Sequence, residues 1–95
     1  MWAVIGVWDI SPELIDELRS QVPLMASSKV GTPGFIHGTW TLDGHMVQVY
    51  ADEASARRYY DDMREQGLIA RPGLRCIVFD VAEVGAESQV EVTRR

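Results

Sequence analysis

The chain has 95 residues, 46% of them apolar, and a net charge of −5 with an isoelectric point near 4.8. That length fits one domain with a thin core, and the apolar share argues against disorder. The acidic balance, with one lysine (Lys29) among nine cationic residues and no long basic run, argues against a nucleic-acid partner.

Residues 2–8, "WAVIGVW", are rich in β-branched and aromatic side chains and read as a strand apolar on both faces, hence central in a sheet. Their lack of a basic flank and long apolar stretch argues against a secretion leader. Ser11, Pro12, Glu13, Asp16 and Glu17 then form a helix start, with Ser11 as cap. Leu14, Ile15, Leu18, Val22 and Met25 give the helix one apolar stripe, and it should end near Ser28. Pro23 cannot donate to the carbonyl of Arg19, which predicts a kink or break.

"KVGTPGF" is a loop with a Pro33–Gly34 turn signal, followed by strands over 35–42 and 45–51. Asp43–Gly44 between them predicts a two-residue type I′ hairpin. That turn sets the register. Leu42, Trp40, Gly38 and Ile36 oppose His45, Val47, Val49 and Ala51 on one face, while Thr41, Thr39 and His37 oppose Met46, Gln48 and Tyr50 on the other, with Phe35. The more apolar first face is expected under the helices. The second is either a ligand chamber or the seam of a dimer; the opposite packing would put His37 and Tyr50 in a cleft beneath the helices.

Asp52 caps a second helix running to about Gln66, with Ala56, Tyr59, Tyr60 and Met63 inward and Gly67 as its stop. Of the adjacent Tyr59 and Tyr60, only one should point squarely at the sheet. Arg57 and Arg58 should pair with Asp61 and Asp62 on a solvated face. Residues 74–84 form a last strand containing Cys76, the only cysteine, which reads as a small core residue in a reduced, cytoplasmic protein. The domain thus spans 1–84. Residues 85–95 are a tail or a short fifth strand carrying Val90 and Val92, ending in Arg94–Arg95. No run of about 18 apolar residues suggests a membrane span.

The order βαββαβ predicts an α+β, ferredoxin-like fold with one antiparallel sheet and both helices on one face. A second copy covering the open face would make a dimeric α+β barrel. The run "TPGFIHGTWTLDGHMVQVYADEASARRYYDDM" resembles the antibiotic biosynthesis monooxygenase-like proteins of the dimeric α+β barrel superfamily. The resemblance lies in a Pro-Gly-Phe lead-in, a hairpin, a strand ending in an aromatic then an acidic residue, and a helix with alanines and aromatics. It implies a homodimer and, in some members, cofactor-independent oxygenation of aromatic or quinol substrates; other members degrade haem. Tyr50 falls where many members carry a tryptophan, and Tyr59 roughly where the haem degraders carry one. The chain has no asparagine, the residue typical of catalytic members, and Gln48 is its nearest substitute. Residues 52–75 hold no histidine where the haem degraders use one, which sets the haem reading aside.

The candidate catalytic residues are therefore His37, Tyr50 and Tyr59, and the candidate ligand contacts are Gln48, Trp40, Tyr60 and Thr39. His37 suits proton transfer, with Tyr50 across the strand; its ordinary role would be an interface hydrogen bond. His45, beside the turn, reads as solvated. The two histidines fall on opposite faces, so no metal site is expected. Trp2, Trp8 and Trp40 read as core or seam packing. No cofactor is expected, and the expected partners are a second copy and a small aromatic or quinol ligand. The competing reading is a non-catalytic barrel whose polar-aromatic face is only the dimer interface.

Overall fold

The structure is a computed structural model that describes residues 1–88. Along the chain lie β1 (Trp2–Ile10), α1 (Ile15–Lys29), β2 (Phe35–Trp40), β3 (His45–Tyr50), α2 (Glu53–Glu65) and β4 (Leu74–Glu83). All strand pairings are antiparallel and the sheet order is β2–β3–β1–β4, the ferredoxin-like arrangement expected from βαββαβ. The possible fifth strand with Val90 and Val92, and Arg94–Arg95, lie outside the described residues.

The core forms between the helices and one sheet face. Val4 and Trp8 of β1, Met46 and Tyr50 of β3, and Leu74 and Phe79 of β4 meet Ala56 and Met63 of α2. β1 and β3 contribute residues an even number of positions apart, as the pleat requires, whereas Leu74 and Phe79 of β4 are five apart. A bulge between β1 and β4 pairs Val7 with Val78 and Trp8 with Cys76, which leaves Ile77 unpaired and exposed. Cys76 is half-buried against the core.

The helix ends differ in how they form. Asp52 caps α2 as expected, its Oδ1 accepting from the Ser55 amide at 2.8 Å. Ser11 makes no side-chain cap; Pro12–Leu14 form a 3₁₀ turn, and the α-helix begins at Ile15. The Ser11 amide instead donates to the Gly73 carbonyl at 2.8 Å, tying the turn to the loop before β4. Helix α1 runs unbroken through Pro23 to Lys29. Both Pro23 and Arg19 are exposed, so the carbonyl deprived of its donor faces water and the break does not follow. On α2, Arg57 pairs with Glu53 at 3.2 Å rather than with Asp61.

The hairpin register is the main departure. Trp40 pairs with Met46, Thr39 with Val47, Gly38 with Gln48 and His37 with Val49. The strands close through Thr41 N donating to His45 O at 2.8 Å, which leaves a three-residue loop, Leu42 to Gly44, rather than the two-residue turn. Two contacts favour it. Thr41 Oγ1 accepts from the His45 amide at 2.9 Å and donates to the Asp43 carboxylate. Gly44, at φ +102°, lies so close to β1 that its carbonyl accepts from Trp8 N at 2.7 Å, and a Cβ there would strike the Trp8 carbonyl oxygen.

The one-residue slip moves β2 relative to β3. Trp40 and Gly38 join Met46, Gln48 and Tyr50 on the helix-covered face, while Thr39 and His37 join Val47 and Val49 on the open face. The bulge falls at Ile36, and Gly38 is a close-approach site whose Cβ would lie 2.8 Å from the Trp40 ring. The face expected under the helices is therefore the open one for β3.

Candidate functional site

Three residues of β3, at alternate positions, build a polar line inside the apolar core. Gln48 and Tyr50 are each 1% exposed and Met46 is 4% exposed. Tyr50 Oη donates to Gln48 Oε1 at 2.7 Å, and Gln48 Nε2 donates to Met46 Sδ at 3.0 Å. From α2, Tyr59 Oη lies 3.6 Å from the same sulfur, a weak bond. The Tyr59 ring stacks on Tyr50 with centroids 6.1 Å apart, and Phe35 meets Tyr50 edge-on at 5.7 Å.

Burial pushes the Tyr50 and Tyr59 phenols above the ordinary tyrosine range. Both stay protonated near neutral pH. They are hydrogen-bond donors, not bases, and Gln48 does not titrate.

An apolar cavity of about 70 Å³ opens between α1 and the sheet. Leu18, Val22 and Met25 of α1 form one wall; Trp8, Trp40, Met46 and Tyr59 face them, with His45 and Ile69 also among the lining residues. Among the described residues, Trp40 Nε1 is buried with no hydrogen-bond partner. Two of the lining residues thus carry weakly engaged donors, Trp40 Nε1 and Tyr59 Oη. This combination suits a ligand oxygen within an otherwise apolar slot.

The turn Gly67–Ile69 that follows α2 is strained. Leu68 and Ile69 have φ of 57° and 60°, left-handed values that cost a branched side chain energy. Trp8 Nε1 anchors the turn by donating to Leu68 O at 2.9 Å.

The sequence-derived candidates therefore divide. Gln48, Tyr50, Tyr59 and Trp40 converge beneath the helices. Tyr60 points away from the cavity, stacked on Phe79 at 5.0 Å, with Arg64 donating to its hydroxyl at 3.3 Å. Since Tyr59 also approaches Phe79, at 6.4 Å, both adjacent tyrosines pack inward, against the expectation that only one would. His37 and Thr39 lie on the open face. His37 Nε2 bonds Glu87 Oε1 at 3.1 Å and its partner across the strand is Val49, not Tyr50. His45 is mostly exposed and its Nδ1 bonds Asp43 at 3.0 Å.

Lys29 belongs to the site but was not among the candidates. Its Nζ sits 3.9 Å above the Tyr59 ring centre, with the Tyr50 and Phe35 rings at 5.8 and 6.0 Å. The available signal was its place four residues after Met25 on the apolar stripe. Among the described residues, no three His, Cys, Asp or Glu side chains cluster to hold a metal.

The element order and sheet topology place the chain among ferredoxin-like α+β proteins. Among solved structures it resembles the heme-degrader MhuD of Mycobacterium tuberculosis, a structure with two hemes bound in its active site; identity is 12%, the TM-score 0.67, and the match covers 94% of this chain and 100% of that one. A protein of Deinococcus radiodurans, provisionally assigned as an antibiotic biosynthesis monooxygenase, matches over 98% of this chain and 99% of its own at 12% identity and a TM-score of 0.49. No family model matches the chain, and no curated protein matches it in sequence. At such identity the shared property is the fold.

Proposed function

We propose that the protein is a homodimeric small-molecule-binding protein of the antibiotic biosynthesis monooxygenase-like type, taking a planar, oxygen-bearing ligand such as a quinol in the cleft beneath α1. The observation that carries this reading is the buried Trp40 Nε1, without a partner among the described residues, on a side chain that lines an apolar cavity. An orphaned buried donor costs about 1–3 kcal/mol, which a ligand oxygen would offset. Tyr59 Oη supplies a second donor. Two donors in an apolar slot also stabilise a developing oxyanion, the role an oxygenase needs.

The cavity is smaller than the several hundred Å³ typical of ligand sites, so binding requires α1 to yield. Helix α1 is suited to this. Leu18 is its one buried residue, Leu24 is 72% exposed, and Pro23 removes one backbone bond.

A haem does not fit the donors present. Met46 Sδ already takes hydrogens from Gln48 and Tyr59, and the one histidine of the cavity lining, His45, sits on the exposed turn bound to Asp43.

The homodimer is proposed through the open sheet face, where Ile5, Val47 and Val78 are 37%, 41% and 39% exposed. His37 and Thr39 belong to that assembly surface in this reading, and Gln48 and Tyr50 do not.

Calorimetric titration with 2-naphthol, a neutral planar probe, tests the cleft. Wild type should bind it, and Tyr59→Phe and Trp40→Phe should each weaken binding about tenfold, the worth of one hydrogen bond of about 1.4 kcal/mol. Unchanged binding in both variants would sink the reading. Oxygen uptake with 1,4-naphthohydroquinone above its rate of autoxidation would separate an oxygenase from a binder.

A further inference from the structure

We infer that Lys29 makes the cleft selective for acidic ligands: it is the anchor for a carboxylate carried by the planar molecule that enters beneath α1. The inference rests on the cleft being a ligand site and adds the charge class of its ligand.

The geometry is that of a cation held without an anion. Lys29 is half-buried at the end of α1, and its ammonium lies over the face of Tyr59 at 3.9 Å, flanked by Tyr50 and Phe35. Among the described residues no carboxylate lies within ion-pair distance of its Nζ, and Nζ makes no hydrogen bond. Asp62 attracts it only from farther away. Loss of hydration on burial lowers its pKa, which marks the ammonium as under-solvated. The ring faces recover part of that loss but offer its three N–H donors no oxygen acceptor.

The cavity lies next door. Met25, one helical turn before Lys29, is part of its wall, and Tyr59 both lines the cavity and carries the ammonium on its ring. Lys29 is not itself in the lining, but a ligand whose ring packs in the slot against Tyr59 shares that side chain with the Lys29 ammonium. A carboxylate there gains a charge-assisted hydrogen bond in a partly desolvated setting, where such bonds are strong. Among the chain's other described cations, Arg19 and Arg58 are exposed and four more are engaged by side chains. Arg57, Arg71 and Arg75 are paired with Glu53, Glu17 and Asp9, and Arg64 binds Tyr60.

Paired titrations with 2-naphthoate and 2-naphthol, similar in shape but one anionic and the other neutral, read the selectivity as a ratio of affinities. Wild type should prefer naphthoate by about tenfold or more, with the preference shrinking at high salt. Lys29→Met keeps the stem and removes the charge, and should bring the ratio to about one; Lys29→Arg should retain the preference. Lys29→Gln serves as a second neutral variant if the methionine form does not fold. Equal binding of both probes by wild type, or a preference that survives both neutral variants, overturns the inference while leaving the cleft reading intact. A wild type that binds neither probe overturns both.

Discussion

A carboxamide with no solvent contact must find its partners inside the protein. Gln48 finds Tyr50 Oη on one side and Met46 Sδ on the other. Tyr50→Phe removes the first and leaves the amide oxygen buried and unpaired, so urea unfolding should show a loss of about 1–3 kcal/mol. Removing the second partner as well, in Gln48→Met/Tyr50→Phe, should recover part of it, since two apolar groups leave nothing unsatisfied. A double variant less stable than the single one would show that the bond is not the source of the loss. The phenols add a pH dependence. Burial holds Tyr50 and Tyr59 above the ordinary value of about 10. Because the folded pKa is raised, their contribution is fully present below about pH 10 and is lost as pH climbs, when the unfolded chain ionises first. Absorbance at the phenolate band should show Tyr50 and Tyr59 ionising only as the alkaline protein unfolds.

At the scale of elements, the hairpin decides which side chains face the site, and a contact with β1 decides the hairpin. Gly44→Ala both forces a side chain into a left-handed conformation and drives its methyl into the Trp8 carbonyl. Gly31 has a similar φ, +88°, with nothing near its missing Cβ, so Gly31→Ala carries only the conformational cost. Thermal melts should place Gly44→Ala at least about 2 kcal/mol below Gly31→Ala. Equal losses would mean that docking on Trp8 does not set the loop. The pair also explains what was legible in the sequence. The order of elements, the Asp52 cap and the inward stripe of α2 follow from neighbours within a few residues, and they read correctly. The register did not, because Trp8 lies 36 residues before Gly44 and its pull is invisible to turn chemistry. The site was half legible for the same reason. Gln48 and Tyr50 stood out as polar and aromatic positions on a strand, but their face depended on the register. Lys29 acquires meaning only when α1, β2, β3 and α2 bring Phe35, Tyr50 and Tyr59 around it.

At the scale of the molecule, two helices on one face leave the other face of a four-stranded sheet uncovered. The chain covers part of it alone. Val84 N still bonds Met1 O at 3.0 Å beside β1, yet Glu87 reaches His37 on β2, so the segment after β4 crosses the end of the sheet. Ala3 and Val49, in the same row as His37, are accordingly 8% and 4% exposed. The next rows hold Ile5 beside Val47, then Val7 beside Val78, and no described segment covers them. A β-branched stripe flanked by Thr39 on β2 and Asp80 on β4 has the apolar centre and polar rim of an interface. Val47→Glu puts a charge at its middle without touching the helix-covered face. Light scattering behind size exclusion should give a dimer for wild type at micromolar concentration and a monomer for the variant, with 2-naphthol binding retained in both. A wild type that stays monomeric on concentration would sink the proposed assembly. A monomeric variant that loses the probe would instead show that the partner copy holds the cleft in shape, coupling the open face to α1 through the strands between them.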